Sequence, residues 1–330
     1  MRRVIVVGAG FFGGLVARRL RERGVASLVA TRRGADLRID AEDDASLGLA
    51  IAPGDVIVDT AGPFASRTTR LVRVAIERGA DVIDLAESLS WSERVLALGR
   101  AAADAGLRLY PACSAVAAVG GACVVASGVA VPAEVDLFLA PASAETASPA
   151  TVFGFMSSLG RPMRTLRDGR LREVRGYAET RRFPAARRAG GLVESAAAVL
   201  MPLSWPSLRR AEFWVDPNVP LARASLSLAA RVPLLADVAR AAARFAPTRV
   251  FGRHGGEFAV VVSDASRAVA FTLRASRGSY WIAVEPAAIA AEHLARGASP
   301  SAGVVLPHAQ VDPDALFTRL RELGTAIIRA

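Results

Sequence analysis

Residues 4–13 read Val4-Ile5-Val6-Val7-Gly8-Ala9-Gly10-Phe11-Phe12-Gly13. The four apolar residues predict a short buried strand, and the residues after the glycines have the apolar period of a helix. In such a turn Gly8 permits the sharp change of direction, Gly10 lets the backbone approach a pyrophosphate, and Gly13 lets the helix pack closely on the strand. The start of the helix, with Phe11 and Phe12, would direct free N–H groups and the positive end of its dipole at phosphate oxygens. This order of elements predicts a dinucleotide-binding site.

The end of the next predicted strand bears on which dinucleotide is preferred. Ser27-Leu28-Val29-Ala30 is followed by Thr31-Arg32-Arg33. Sites that prefer NAD usually place Asp or Glu here, against the ribose 2′-hydroxyl. Two guanidinium groups and a hydroxyl would instead attract a 2′-phosphate, which arginine binds in a bidentate manner. We therefore predict NADP(H), with NAD(H) less favoured; the plainer alternative is that these arginines only belong to a strongly basic surface.

The composition excludes several kinds of chemistry. The chain has 330 residues and a net charge of +10, and all 41 of its basic residues are arginine. Without lysine there can be no Schiff base, no P-loop and no Tyr–Lys dyad. The arginines are scattered without interleaved aromatic residues, so we expect no nucleic-acid partner. No apolar run reaches about 18 residues, so we expect a soluble protein with no membrane partner. The two cysteines lack metal-binding neighbours and are too few for a disulfide scaffold, so we expect no metal and a cytoplasmic location.

Strands and helices alternate through the first third of the chain. Apolar runs predict strands at Asp55–Asp59, Asp81–Asp84 and Leu107–Tyr110, with helical patterns between them. This alternation predicts an α/β fold with a doubly wound parallel sheet, the Rossmann fold. Later strands without alternating helices, such as Glu257–Val262 and Ala268–Ala275, predict a mixed or antiparallel sheet in a second, α+β domain.

The change of pattern divides the chain into three predicted segments. Residues 1–130 would form the NADP-binding Rossmann domain, and residues 131–285 an α+β domain for substrate binding and dimerisation. Residues 286–330 would form C-terminal helices that return to the Rossmann domain. The remaining local predictions are a helix at Thr151–Leu159, extended or loop structure over 160–191, and helices at Pro286–Leu294 and Pro313–Leu323 that each begin with proline.

Several of these segments resemble the saccharopine dehydrogenase-like reductases. The resemblance rests on Val4–Gly13, on Asp55–Phe64, on Ala80–Glu87 and on a C-terminal run over Gly278–Gly297. It implies an NAD(P)-dependent oxidoreductase, often a dimer, in which an α+β domain is inserted before the C-terminal helix. The family is functionally broad, so the resemblance indicates the cofactor more firmly than the substrate.

Ligands of an open α/β sheet bind outside the carboxyl ends of its strands. That rule places the turn Ala61-Gly62-Pro63-Phe64 along the nicotinamide, where Gly62 would allow close approach to the backbone. It also brings Asp84–Ser88 and Tyr110–Ser114 toward the nicotinamide and the substrate. Hydride transfer needs a proton donor beside the acceptor carbon. The candidate catalytic residues in these turns are Glu87, Tyr110 and Ser114.

Plain structural interpretations exist for these candidates. An acid at the position of Glu87 is more often a charge near a helix N-terminus, and Tyr110 could be a packing residue at a strand end. Pro111–Ala117 lacks the glycine and aspartate that many members of the family carry there, which fits a substrate less polar than an amino acid. Three arginines of the second domain could instead hold an anionic substrate group: Arg161, Arg181 and Arg182.

The sequence therefore predicts an NADP(H)-dependent oxidoreductase of the saccharopine dehydrogenase-like type. It would transfer hydride to or from a C=N, C=O or C=C bond of a small metabolite or a secondary-metabolism intermediate. We expect an anionic or apolar small-molecule substrate and a homodimer. The alternative is a dinucleotide-binding scaffold protein without catalytic activity, which the few polar side chains of Pro111–Ala117 suggest.

Overall fold

A computed structural model describes residues 1–146, 154, 156–184, 186–243 and 252–330. These residues form two sheets. The first has seven strands, all parallel, in the order β15-β6-β5-β4-β1-β2-β3. Its strands are β1 (Val4–Val7), β2 (Ser27–Thr31), β3 (Leu37–Arg38), β4 (Val56–Asp59), β5 (Asp81–Asp84), β6 (Arg108–Tyr110) and β15 (Gly303–Val304). The predicted doubly wound parallel sheet is confirmed.

Helices cover both faces of this sheet. Those of the first part of the chain are α1 (Phe11–Glu22), α2 (Asp44–Ala50), α3 (Arg70–Arg78), α4 (Leu89–Leu96), α5 (Gly99–Asp104) and α6 (Gly120–Ser127). Side chains alternate across a strand, so Ile5 and Val7 pack with α2 to α5 in one core, whereas Val4 and Val6 pack with α1 and α6 in another. Parallel strands buried in this way have continuous apolar sequences, which is why they could be predicted.

The second sheet is mixed and has nine strands. Its main path is β10-β11-β12-β7-β13-β14-β16, and the hairpin β8–β9 joins it through β12. Only β7 and β12 run parallel to each other. The strands are β7 (Glu134–Ala140), β8 (Pro162–Arg167), β9 (Arg170–Arg175), β10 (Thr180–Phe183), β11 (Arg188–Val193), β12 (Arg210–Val215), β13 (Gly256–Ser263), β14 (Ala268–Ala275) and β16 (Ala326–Arg329). The predicted second α+β domain with a mixed sheet is confirmed.

The later helices lie between and after these strands. They are α7 (Ser143–Thr146), α8 (Ala197–Ser204), α9 (Ala222–Ala229), α10 (Pro233–Ala243), α11 (Trp281–Ala295), α12 (Pro307–Gln310) and α13 (Pro313–Glu322). Buried ion pairs fix α1, α11 and α13 to one another: Arg19 contacts Glu285 at 2.7 Å and Arg319 contacts Glu292 at 2.7 Å. One core thus extends from the first sheet to the inner face of the second.

Some local predictions were wrong in their details. The helix predicted to begin at Pro286 begins at Trp281, because the apolar residues before the proline are also buried in the core, and Pro286 lies inside the helix. For 160–191 the predicted extended or loop structure is borne out: the described residues there form β8, β9, β10 and the start of β11, joined by turns, and only the pairing of these strands was not predicted. The predicted helix Thr151–Leu159 falls largely outside the described residues. Within the described ranges, none of the helices has the length and apolar character needed to span a bilayer.

Candidate functional site

The glycine turn after β1 has the geometry that its sequence predicts. Gly8 has a φ of +106°, a conformation that favours glycine. A Cβ at Gly13 would lie 1.8 Å from the carbonyl oxygen of Gly8, so α1 packs directly against the turn. A Cβ at Gly10 would meet no atom of the described residues within 4 Å. Because Gly10 precedes the free N–H groups of the first turn of α1, this open space can hold a phosphate.

The carboxyl ends of the central strands lie in register at one edge of the sheet. Val7 pairs with Asp59, and Asp59 pairs with Asp84. Neighbouring strands are about 4.8 Å apart, so the turns after β1, β4 and β5 are adjacent. The structure therefore brings the glycine turn, residues 61–64 and Glu87 to the same edge.

The end of β2 is exposed. Thr31 donates its hydroxyl hydrogen to the Gly34 carbonyl oxygen at 2.9 Å. Arg32 and Arg33 are exposed, and neither makes an ion pair within the described ranges. Asp36, the nearest acid in the sequence, accepts a hydrogen bond from the Val29 N–H at 2.8 Å. The two guanidinium groups are therefore available to an anionic ligand.

Thr60 and Arg67 shape the turn after β4, and sequence reasoning missed both. The Thr60 hydroxyl lies 2.9 Å from the Val7 carbonyl oxygen and 3.1 Å from that of Gly8, which fixes the turn to the glycine loop. Arg67 pairs with the buried Asp59 at 3.0 Å and donates to the Ala61 carbonyl oxygen at 2.5 Å. Burial raises the pKa of Asp59, and Arg67 opposes that rise. A threonine and an arginine in a turn are too common for sequence alone to single them out.

The remaining residues of this turn lie over α4. Gly62 and Pro63 are joined by a cis peptide bond, and Phe64 begins a short 3₁₀ turn. The Phe64 ring lies 5.1 Å from that of Trp91, measured between centroids. The residues from Ala61 to Phe64 therefore form a partly exposed surface beside the glycine turn, and their predicted contact with the nicotinamide stays a prediction.

Asp84, at the end of β5, has a structural role. Its buried carboxylate accepts hydrogen bonds from the N–H groups of Ala112 at 2.9 Å and Ala86 at 3.0 Å, and from the Trp91 indole at 3.1 Å. Burial raises the pKa of Asp84 to about 7, against the effect of these donors. Asp84 thus fixes the turns after β5 and β6 to each other.

Glu87 is the least satisfied acid at this edge. Its Oε1 accepts a hydrogen bond from the Val116 N–H at 3.2 Å, whereas its Oε2 is buried and has no partner among the described residues. Burial raises the pKa of Glu87 to about 8, although the Val116 N–H and the Ser114 hydroxyl act in the opposite direction. Ser88, not Glu87, caps α4 by accepting from the Trp91 N–H. Burial therefore favours the protonated form of this carboxyl group.

The other two candidates differ in their surroundings. Ser114 is buried next to Glu87 and precedes a π-helical turn over Ala115–Val119. Tyr110 is buried in the core at the end of β6, where burial raises the pKa of its hydroxyl. The structure thus brings Ser114 and Glu87 together and leaves Tyr110 as a packing residue.

Aromatic rings gather at the start of α1. Phe11 makes edge-to-face contacts with Phe12 and with Tyr280, both at 5.3 Å between centroids. Tyr280 comes from the segment that leads into α11, about 270 residues away in sequence. Only the tertiary structure places Tyr280 beside the glycine turn, so sequence reasoning could not include it.

No curated protein matches the sequence. Among solved structures, GenD2 from gentamicin A biosynthesis, in complex with NAD, is 16% identical, with a TM-score of 0.43 over 100% of this chain and 97% of that one. The WlbA (WbpB) dehydrogenase from Thermus thermophilus, in complex with NAD and UDP-GlcNAcA, is 12% identical, with a TM-score of 0.42 over 97% and 95%. An oxidoreductase from Agrobacterium radiobacter, in complex with NAD+, L-tartaric acid and magnesium, is 12% identical, with a TM-score of 0.41 over 98% of each chain. Values this low say nothing about the ligands or reaction of this chain.

The family comparison is more specific. The model of the saccharopine dehydrogenase NADP binding domain matches residues 4–109, which include the glycine turn, the turn after β4 and Glu87. This match confirms the resemblance for that part of the chain and supports the predicted oxidoreductase class. Residues 4–109 are therefore similar to the NADP binding domain of saccharopine dehydrogenase, which supports a nicotinamide dinucleotide as cofactor.

Proposed function

We propose that the chain is an NADP(H)-dependent oxidoreductase in which Glu87 is the proton donor. The observation that carries the proposal is the buried Glu87 carboxyl group, whose Oε2 has no partner among the described residues, at the same sheet edge as the glycine turn. A buried acid with a raised pKa in a ligand cleft is typical of general acid catalysis. The plain interpretation, a charge at a helix N-terminus, is less favoured because Ser88 occupies the cap of α4.

The proposed step is the reduction of a C=N, C=O or C=C bond. The cofactor would supply the hydride to the acceptor carbon. Glu87 would give its proton to the nitrogen, oxygen or second carbon of that bond and become a carboxylate, which the Val116 N–H stabilises. In the reverse direction the carboxylate would take up the proton again.

The surroundings of Glu87 favour a substrate whose reacting end is apolar. The backbone oxygen of Glu87 accepts from the N–H of Ala196, which belongs to the second domain. Ala196 packs in a small buried cluster with Ala112, Ala117 and Leu200. Arg181, a candidate for an anionic group, pairs with Asp136 at 2.7 Å. These contacts support an imine, ketone or enoyl substrate without a charge beside the reacting bond.

Turnover with a panel of imines, ketones and enoyl thioesters tests the proposal. We expect oxidation of NADPH with at least one class, followed by its absorbance at 340 nm, a property of the cofactor itself. Tight binding of NADPH without turnover of any class would contradict the enzyme and favour a scaffold protein.

Cofactor choice tests the proposed role of the two arginines. The double substitution Arg32→Ala and Arg33→Ala should weaken NADPH binding by about 10- to 100-fold and leave NADH binding unchanged, since only NADPH carries the 2′-phosphate. Arg21→Ala, at an exposed position near the other end of α1, is the control. Titrations that follow nicotinamide fluorescence would measure both affinities. Equal losses for the two cofactors would contradict the NADP(H) preference.

The pH dependence follows from the raised pKa of Glu87. The carboxyl group must be protonated for reduction, so kcat/KM should be constant below about pH 7 and fall above pH 8, near the pKa of about 8. Oxidation needs the carboxylate, so its kcat/KM should rise through the same range. Steady-state rates in both directions would test this. A reduction rate that increases between pH 7 and 9 has the wrong sign for this role.

A further inference from the structure

The surface of α9 and α10 is unusually apolar. Of thirteen large hydrophobic side chains that are exposed among the described residues, six lie within residues 221–238. Leu221 is 84% exposed and Leu234 is 72% exposed. The others are Leu228, Val232, Leu235 and Val238. Concentrated exposure of this kind marks a surface that contacts a membrane or another protein. We call these six residues the 221–238 surface.

The helices that carry this surface are apolar on both sides. On their inner side Leu226 packs against the core, and Ala230 and Ala236 are buried against Gly160. A Cβ added at Gly160 would lie 2.7 Å from the Cβ of Ala236. Ser227 donates to the Tyr177 carbonyl oxygen at 3.0 Å, which fixes α9 to the second sheet. The inner side thus attaches these helices to the protein, and the outer leucines and valines do not pack in its core.

The charge around the 221–238 surface is positive. Arg223 and Arg231 lie in the same segment, and neither makes an ion pair within the described ranges. The single acid of the segment, Asp237, is already paired with Arg240. Apolar side chains that are flanked by free arginines fit a surface that is apolar inside and anionic at its rim.

We propose that the 221–238 surface docks on an anionic lipid membrane. The leucines and valines would enter the boundary between headgroups and acyl chains, and Arg223 and Arg231 would pair with lipid phosphates. A second copy of the chain would bring these arginines together on both sides, which like-charge repulsion disfavours. The proposal departs from the expectation, drawn from composition, that the protein has no membrane partner. It does not depend on the proposed reaction.

Sedimentation with vesicles tests the proposal. The full chain should bind vesicles of phosphatidylcholine and phosphatidylglycerol in roughly equal amounts, and bind pure phosphatidylcholine about tenfold less. The double variant Leu228→Asp and Leu234→Asp should lose about tenfold in affinity for the mixed vesicles. Arg223→Gln with Arg231→Gln should weaken binding to mixed vesicles and leave the weak binding to phosphatidylcholine unchanged.

The control must separate a local effect from the general charge of +10. Leu49→Asp with Val131→Asp adds the same two charges at residues that are 91% and 64% exposed elsewhere, and it should bind as the unchanged chain does. Equal losses for both double variants, or no binding to mixed vesicles, would overturn the proposal. A dimer by light scattering that only the Leu228 and Leu234 substitutions dissociate, without vesicle binding, would assign the surface to a second copy and overturn it also.

Discussion

Glu87→Gln should lower the rate of substrate reduction by about two to four orders of magnitude, the usual contribution of a positioned general acid. Glutamine has nearly the shape of a protonated glutamic acid, and its side-chain oxygen can still accept from the Val116 N–H. It cannot release a proton. The affinity for NADPH should therefore stay within a factor of about two, while kcat falls. Single-turnover oxidation of NADPH would separate the chemical step from binding.

Two further measurements make this result specific. The variant should lose the decline of kcat/KM above pH 8, because the group that titrates there is gone. It should also unfold at the same or a higher temperature above pH 8. The folded state holds the Glu87 proton more tightly than the unfolded chain, so ionisation costs stability increasingly from the ordinary pKa of glutamate up to about pH 8. Glu77→Gln, on the exposed face of α3, should change none of these quantities.

A fall in kcat with an unchanged pH profile would contradict the role of Glu87. It would mean that another group titrates with pKa near 8 and that the substitution acts through structure. Ser114, which adjoins Glu87, would then be the next residue to replace, because it is the other polar candidate that the structure places at this edge.

The sequence predicted the parallel sheet and its glycine turn well because their signals are local. β1, β4 and β5 have apolar centres that are fully buried, and the structure confirms the steric roles of Gly8 and Gly13, whereas the approach of Gly10 to a pyrophosphate stays a prediction. The sequence could identify Glu87 only as an acid near the carboxyl end of β5, and it could not indicate the pKa of that acid. Burial raises its pKa, and the Val116 N–H that opposes this rise comes from a part of the fold that sequence alone does not place beside it.

The contributions of the second domain were harder to predict. Strands β8 to β11 carry many arginines, and their pairing with acids across the sheet, such as Arg181 with Asp136, is invisible in one sequence. The exposed leucines of α9 and α10 have the apolar composition of a core. Only the structure shows that these side chains face outward.

Gly13→Ala should reduce the free energy of unfolding by about 3 kcal/mol, at the upper end of the usual cost of overpacking. The added methyl group would lie 1.8 Å from the Gly8 carbonyl oxygen and 2.5 Å from the Thr60 hydroxyl oxygen. Backbone atoms cannot turn aside as a flexible side chain can, so α1 must move away from the turn. Denaturant unfolding followed by circular dichroism would measure the loss, and NADPH binding should be lost with it.

The neighbouring glycines provide matched controls for the same added methyl group. Gly10 has a φ of −70°, which alanine adopts freely, and its Cβ would meet no described atom within 4 Å, so Gly10→Ala should fold with unchanged stability. It should nevertheless weaken NADPH binding by about 100-fold or more, because the methyl group would occupy the space proposed for the pyrophosphate. Gly14→Ala has equal space on the exposed side of α1 and should gain about 0.5–1 kcal/mol without changing affinity.

The three glycine variants separate two roles that the motif combines. If Gly13→Ala is as stable as the unchanged chain, the close contact between α1 and the turn is not required. If Gly10→Ala binds NADPH normally, the pyrophosphate does not lie over Gly10, and the site proposed for the cofactor is wrong even though the fold is right. We expect substitution of Gly13 to reduce stability, substitution of Gly10 to reduce affinity, and substitution of Gly14 to reduce neither. This pattern is expected only when helix packing and phosphate binding are both located as described.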